Sequence, residues 1–140
     1  KIDPEFDAEN FMVGARVAFE MVIKAFALDD LDTLERLLSN EVYSNFVRAI
    51  NERNEAGHSI SDTLVGIKSA ELVEAFLEGQ YGNITVKFIS EQIKVTKDKK
   101  GTVIDGDPKS VIVVVDFWTF ARDTDNQDPN WILVATRSLD

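Results

Sequence analysis

Residues 111–136 read VIVVVDFWTFARDTDNQDPNWILVAT, and the fold turns on how this stretch is understood. Two apolar runs rich in β-branched and aromatic residues flank a polar segment of Asp, Asn and Pro. The first composition favours strands and the second favours turns. The pattern predicts a strand over 111–122, another over 131–136, and a hairpin turn at DNQDPN between them. Both tryptophans of the chain, Trp118 and Trp131, lie here. Side chains alternate across a strand, so Ile112, Val114, Asp116, Trp118 and Phe120 share one face. Val111, Val113, Val115 and Phe117 share the other. In a sheet covered on one side, either face serves as core.

Upstream, residues 97–109 (KDKKGTVIDGDPK) form a polar loop with a small excursion at Thr102–Ile104. A strand runs from Ile84 to Val95. Its inward set changes phase, from Ile84, Val86 and Phe88 to Ile89, Ile93 and Val95, which predicts a bulge or bend. Residues 64–77 carry Ala, Glu and Leu, all good helix formers. The turn-like GQYGN at 79–83 nevertheless makes this segment the first strand of a hairpin. The N-terminal half is helical. Asp3-Pro4 marks a turn and Asp7 an N-cap, and apolar residues then recur at helical spacing: Phe11, Ala15, Ala18, Val22 and Phe26, with Phe19 and Ile23 beside them. Val13, Val17 and Met21 carry the apolar surface past one ordinary face, a pattern expected of a helix covered on two sides. Asp29-Asp30 ends it. A short helix with Leu31, Leu34, Leu37 and Leu38 follows. Ser39 or Asn40 then caps a third, with Val42, Phe46, Ala49 and Ile50 inward and its end near Gly57. Helices followed by an antiparallel meander make an α+β fold. Residues 1–6 read as a tail and 7–140 as one domain.

At 140 residues, with 44% hydrophobic and 29% charged residues, the chain is long enough to bury a sizeable core. A net charge of −10 argues against nucleic acid, whose phosphates need a basic face, and opposes anionic lipid at the domain's average surface, leaving a local basic or apolar patch as the route to a membrane. With no cysteine and one histidine, disulfides, thiol catalysis and the usual zinc sites are ruled out. No run spans a bilayer and no signal peptide is visible. The start at Lys1 rather than Met suggests an excised or processed fragment, with room for an anchor upstream.

Few residues offer chemistry. His58 follows Gly57 in polar surroundings and reads as a solvated loop histidine, and no Gly-x-Ser-x-Gly elbow presents a serine to it. The DTDNQD loop at 123–128 is rich in oxygen ligands. It lacks the glycine and glutamate of a calcium loop, however, and reads as turn chemistry. Asp116, inside an apolar run, is the sharpest candidate. If its face is buried it needs a partner or a raised pKa. An enzyme reading would make it a base in an apolar pocket, with Tyr43 or His58 as donor. A carboxylate paired with a neighbouring cation is the plainer reading. No catalytic residue, metal ligand or cofactor is assigned.

FMVGARVAFEMVIKAF at 11–26, LERLLSNEVY at 34–43, GDP at 106–108, VVVDFWTFARD at 113–123 and DPNWILVAT at 128–136 together resemble the Tim44-like C-terminal domain family over nearly the whole chain. The resemblance implies a cystatin-like or NTF2-like fold, with helices in the concave face of a bent antiparallel sheet and a large apolar pocket. It implies no enzyme activity. It implies attachment to an inner membrane, bacterial or on the mitochondrial matrix side, peripheral or through an upstream anchor. The family's namesake tethers an Hsp70 import motor to a protein-conducting channel, and the part that recruits the motor lies upstream of this domain. The function expected is a non-catalytic module for protein translocation or membrane tethering. Its expected partners are inner-membrane lipid, translocase subunits or other membrane proteins. Phe11, Met12, Ala15, Phe19, Val22, Ile23 and Trp118 are the expected partner-facing, membrane-facing or pocket-lining residues. The alternative is a small-molecule enzyme or ligand-binding protein of the NTF2-like cone type that uses Asp116.

Overall fold

A computed structural model describes residues 8–125 and 130–139. Three helices, α1 (Ala8–Ala27), α2 (Leu31–Leu37) and α3 (Asn40–Glu55), precede five strands: β1 (Ser59–Glu78), β2 (Tyr81–Lys97), β3 (Val103–Gly106), β4 (Ile112–Asp123) and β5 (Ile132–Leu139). The sheet is antiparallel with order β1-β2-β4-β5, and β3 pairs with β2 beyond the point where β4 leaves it. The tail, the expected Asp7 cap and the centre of the DNQDPN turn lie outside the described residues.

The helix borders follow from local chemistry. The Asp30 carboxylate accepts from the Thr33 amide and opens α2, and the Ser39 hydroxyl accepts from the Val42 amide and opens α3. α3 stops at Gly57, whose φ of 77° is left-handed. Helix propensity in residues 64–77 yields to pairing: β1 runs in register with β2 from Ser59↔Lys97 to Glu78↔Tyr81. The turn is tighter than expected, with Gly79 and Gln80 alone between the strands. Gly79, at φ 62°, takes the position that a II′ hairpin reserves for glycine.

The helices cover the sheet face that carries Ile84, Val86, Phe88, Asp116, Trp118 and Phe120, all buried. This settles which face of β4 is core. Phe19 stacks on Phe88 with ring centroids 4.3 Å apart and tilts against Trp118 at 4.6 Å. Phe11 meets Phe120 and Trp131 edge-on at 5.8 and 4.9 Å. Each fully buried Phe contributes about 1.5–3 kcal/mol through burial, and favourable ring geometry adds to this. On the uncovered face Phe117 lies between Arg137 and Lys87, 4.4 and 6.0 Å from its centroid. Their aliphatic stems shield the ring from water.

One expectation is corrected in β2. Ile89 and Ile93 do not point inward. Burial alternates without a break from Ile84 to Gln92, so the polar Ser90 and Gln92 take the inward positions. The bulges instead interrupt the outer strands. Val65, Lys68 and Val73 are extra residues in β1 and Val134 is extra in β5. Extra residues in the outer strands bend the sheet. The next buried residue of β2, Val95, breaks the alternation where β3 replaces β4 as partner.

Candidate functional site

The turn between α1 and α2 is fixed before any site is formed. Asp29 sits at φ 57°, a conformation that a non-glycine residue holds only with local support. Arg53 of α3 supplies that support by donating to the Asp29 carboxylate and to the Phe26 carbonyl, with its guanidinium 4.6 Å from the Phe26 ring centroid. Asn54 donates to the other Asp29 oxygen at 3.2 Å. The Ser39 amide donates to the Leu133 carbonyl at 2.9 Å and ties the α2–α3 corner to β5. So held, α3 presents Asn45, Phe46 and Ala49 towards the sheet without filling the space between.

That space is an open-mouthed cavity of about 390 Å³. Its apolar wall is Val22, Ile23 and Phe26 of α1, Phe46 and Ala49 of α3, and Trp118. Its floor is polar and comes from all four long strands: Asp62, Gln92, Lys94, Asp116, Thr136 and Ser138. Asp116 is only 7% exposed and accepts from the Ser138 hydroxyl directly across the β4–β5 ladder. Burial pushes its carboxyl above the usual carboxylate range, against the opposing pull of the Ser138 hydrogen bond and the Lys94 charge. Asp62 is raised too, first by burial and further by the Asp116 charge, while Lys94 opposes. Lys94 Nζ lies 3.7 Å from Asp62 Oδ2. The Gln92 amide completes the floor. Its Nε2 donates to both Asp62 oxygens at 2.9 and 3.0 Å, and its oxygen accepts from Ser90 at 2.9 Å. The reverse orientation turns the amide oxygen towards the Asp62 carboxylate, an arrangement of acceptor against acceptor that the lone pairs disfavour.

The residues expected to meet a partner, a membrane or a pocket divide into three groups. Phe11, Ala15 and Phe19 are core, 0–6% exposed, and offer nothing to a surface. Met12 is half-buried and packs against the same core. Val22, Ile23 and Trp118 line the cavity. Neither Tyr43 nor His58 reaches it. Tyr43 lines a shallow depression on α3 with Val47 and Asn51. Asp62, Gln92, Lys94 and Ser138 were missed. A strict two-residue count from Phe88 places Gln92 inward, but Asp62 and Ser138 depend on strand register, which the sequence does not show.

A second feature lies on the outer surface of α1. Val13, Val17 and Met21, at four-residue spacing, are 63, 49 and 37% exposed. They form an apolar stripe bordered by Arg16, Glu20 and Lys24, all exposed. Leu28 and Leu31 extend exposed apolar surface into the turn. Among the described residues no helix is long and apolar enough to cross a membrane.

Comparison with known proteins places this geometry in context. The family model described as the Tim44-like domain matches residues 1–138. Over the full chain, 25% of residues are identical to the mitochondrial import inner membrane translocase subunit TIM44 of rat and to that of human. Over 92% of the chain, 24% are identical to the probable mitochondrial import inner membrane translocase subunit tin-44 of Caenorhabditis elegans. The chain spans about 30% of the length of the rat and human relatives. The crystal structure of the intermembrane space region of the chloroplast protein ARC6 superposes with a TM-score of 0.61 at 13% identity, covering 97% of this chain and 98% of that one. At that identity the likeness is one of fold.

Proposed function

The chain belongs to the Tim44-like domain family, and from that premise we propose that it is a non-catalytic binding module serving protein translocation at an inner membrane. The observation that carries the reading is the stripe of Val13, Val17 and Met21, exposed on a helix whose opposite face is taken up by the core and the cavity wall. Three apolar side chains left in water on one helix face are characteristic of a contact surface. The relatives matched over the full chain are named as subunits of an import translocase, which favours a protein partner from such an assembly. A net charge of −10 disfavours the anionic lipid surface as the primary contact. Association with the inner membrane is then peripheral for this domain, through the protein it binds.

Site-specific photocrosslinking tests the reading. A photoreactive residue at Val17 is expected to capture an inner-membrane translocase component in the cell of origin, whereas one at the inward-facing Ala15 is not. Flotation with liposomes, with and without anionic lipid, is expected to leave the protein at the bottom of the gradient. Flotation at low salt that is abolished by changing Val13 and Val17 would replace the protein partner with lipid.

A further inference from the structure

We propose that the cavity between α3 and the sheet is a binding site for a small organic cation, an ammonium group carried on an apolar body, with the ammonium seated on Asp116. The site lies apart from the outer face of α1 and does not depend on the translocation reading.

Three observations carry the proposal. First, the cavity is amphipathic in a particular sense. Ile23, Phe46 and Trp118 form one wall, and the charged groups on its floor are Asp62 of β1, Lys94 of β2 and Asp116 of β4. The residues of α1 and α3 that line it carry no charge. Two carboxylates against one ammonium leave the floor negative. That repels a phosphate or carboxylate headgroup and attracts a cation. Second, Asp116 is half-satisfied. Its Oδ1 accepts from Ser138, and its Oδ2 accepts no hydrogen bond among the described residues, although the residue as a whole is only 7% exposed and lines the cavity. A buried carboxylate is stabilised by a charged donor more than by any neutral group. A plain acyl chain in the cavity would strip water from Oδ2 and return nothing.

Third, the resident cation is held loosely. The Lys94 side chain is 50% exposed and stands 3.7 Å from Asp62, a weak pair in geometry and screening. Phe26, Asp62 and Lys94 also line a second cleft, of about 410 Å³, bounded on its far side by Gly106 and Ile112. Lys94 therefore sits between two openings and is free to leave Asp62 when a second cation arrives. The apolar body of the ligand then rests against Trp118 and Phe46, whose rings suit a neighbouring positive charge. The Phe26 ring already carries the Arg53 guanidinium.

The test titrates the intact protein with phenethylamine and with its uncharged analogue 2-phenylethanol at pH 7. Binding is followed by amide chemical shifts around Asp116 and Trp118. The amine is expected to bind roughly tenfold more tightly than the alcohol, the scale of one charge-assisted hydrogen bond. Asp116→Asn is expected to remove that preference. Lys94→Met is expected to tighten amine binding severalfold, a gain that no folding defect produces. Equal affinity for the two probes, no saturable shift with either, or an amine preference that survives Asp116→Asn would overturn the proposal.

Discussion

Arg53 of α3 and Asp29 of the α1–α2 turn form a charge pair between segments 24 residues apart in sequence. The Arg53 side chain is 8% exposed and that of Asp29 is 40% exposed. The pair closes the corner that keeps α3 standing off the sheet. Arg53 Nη1 finds no partner among the described residues, so the guanidinium depends on Nη2 for Asp29 and the Phe26 carbonyl. Arg53→Met is expected to cost about 2–3 kcal/mol, below the full value for a buried pair because Asp29 is partly solvated. Arg53→Lys is expected to recover little of it, because an ammonium is more strongly hydrated than a guanidinium and stacks poorly on Phe26. Urea denaturation of the two variants reads both outcomes.

The pH dependence of stability follows from the cavity floor. Burial raises the carboxyls of Asp116 and Asp62 in the native state, so the native state holds its protons more tightly than the unfolded chain. The stability linked to them is fully present below the ordinary carboxylate pKa and is lost as pH rises through the raised native values. Asp116→Asn keeps an acceptor for Ser138 and removes the charge. Relative to the parent, the variant is expected to gain stability between about pH 4 and pH 7, with no gain at the acid end. The exposed Asp30 and Asp107, which shift the opposite way, are common to both proteins and cancel. Urea midpoints that differ by the same amount at pH 4 and pH 7 would contradict the raised carboxyl.

Much of the fold was legible in the sequence, and less of the site. The helix starts at Asp30 and Ser39, the stop at Gly57 and the strands of the C-terminal half are written in local residue types. Residues 64–77 were legible only through their neighbours, since a hairpin turn and a strand partner override helix propensity. Ser90 and Gln92 were obscured because Ile89 and Ile93 beside them look more core-like. In this sheet the period decides orientation, and the inward polar residues are matched by Asp62 across the ladder. Asp62 and Ser138 belong to the site through register alone: Asp62 opposes Lys94, and Ser138 opposes Asp116. The first helix showed that it was apolar almost all round, but which apolar residues lay inward depended on where the sheet would sit.

Gly106 provides a local test of how β3 is seated. Its φ is 85°, and a Cβ built there would lie 2.0 Å from the Lys94 carbonyl oxygen, in the backbone of β2. Gly106→Ala therefore combines left-handed strain with a contact that no side chain can relieve. The expected cost is about 1–3 kcal/mol, with faster hydrogen exchange at Val95–Lys97, where β3 pairs. Gly101, at φ 83°, has nothing within 4 Å of its would-be Cβ. Gly101→Asn is expected to be tolerated to within about 1 kcal/mol, since Asn accepts the left-handed region. Equal destabilisation by the two changes would mean that dihedral strain, and not the β2 contact, sets the cost.

The two faces of α1 separate stability from binding. Phe19 is fully buried between Phe88 and Trp118, and Phe19→Ala is expected to cost about 3–5 kcal/mol. Any loss of partner binding in that variant would follow its loss of fold. Changing Val13, Val17 and Met21 to Gln leaves the core untouched and keeps good helix formers on an exposed face, so each change is expected to fall within about 0.5 kcal/mol. The triple variant is expected to unfold at nearly the parent's urea midpoint and to lose most of its crosslinking to a translocase component from a photoreactive residue at Glu20, exposed beside the stripe. That combination cannot arise from misfolding. A triple variant that still crosslinks at parental yield, in a protein as stable as the parent, would move the contact surface away from α1. The exposed Val103 and Ile104 of β3, with Val111 just before β4 and Ile112 and Val113 at its start, would then be the next apolar surface to test.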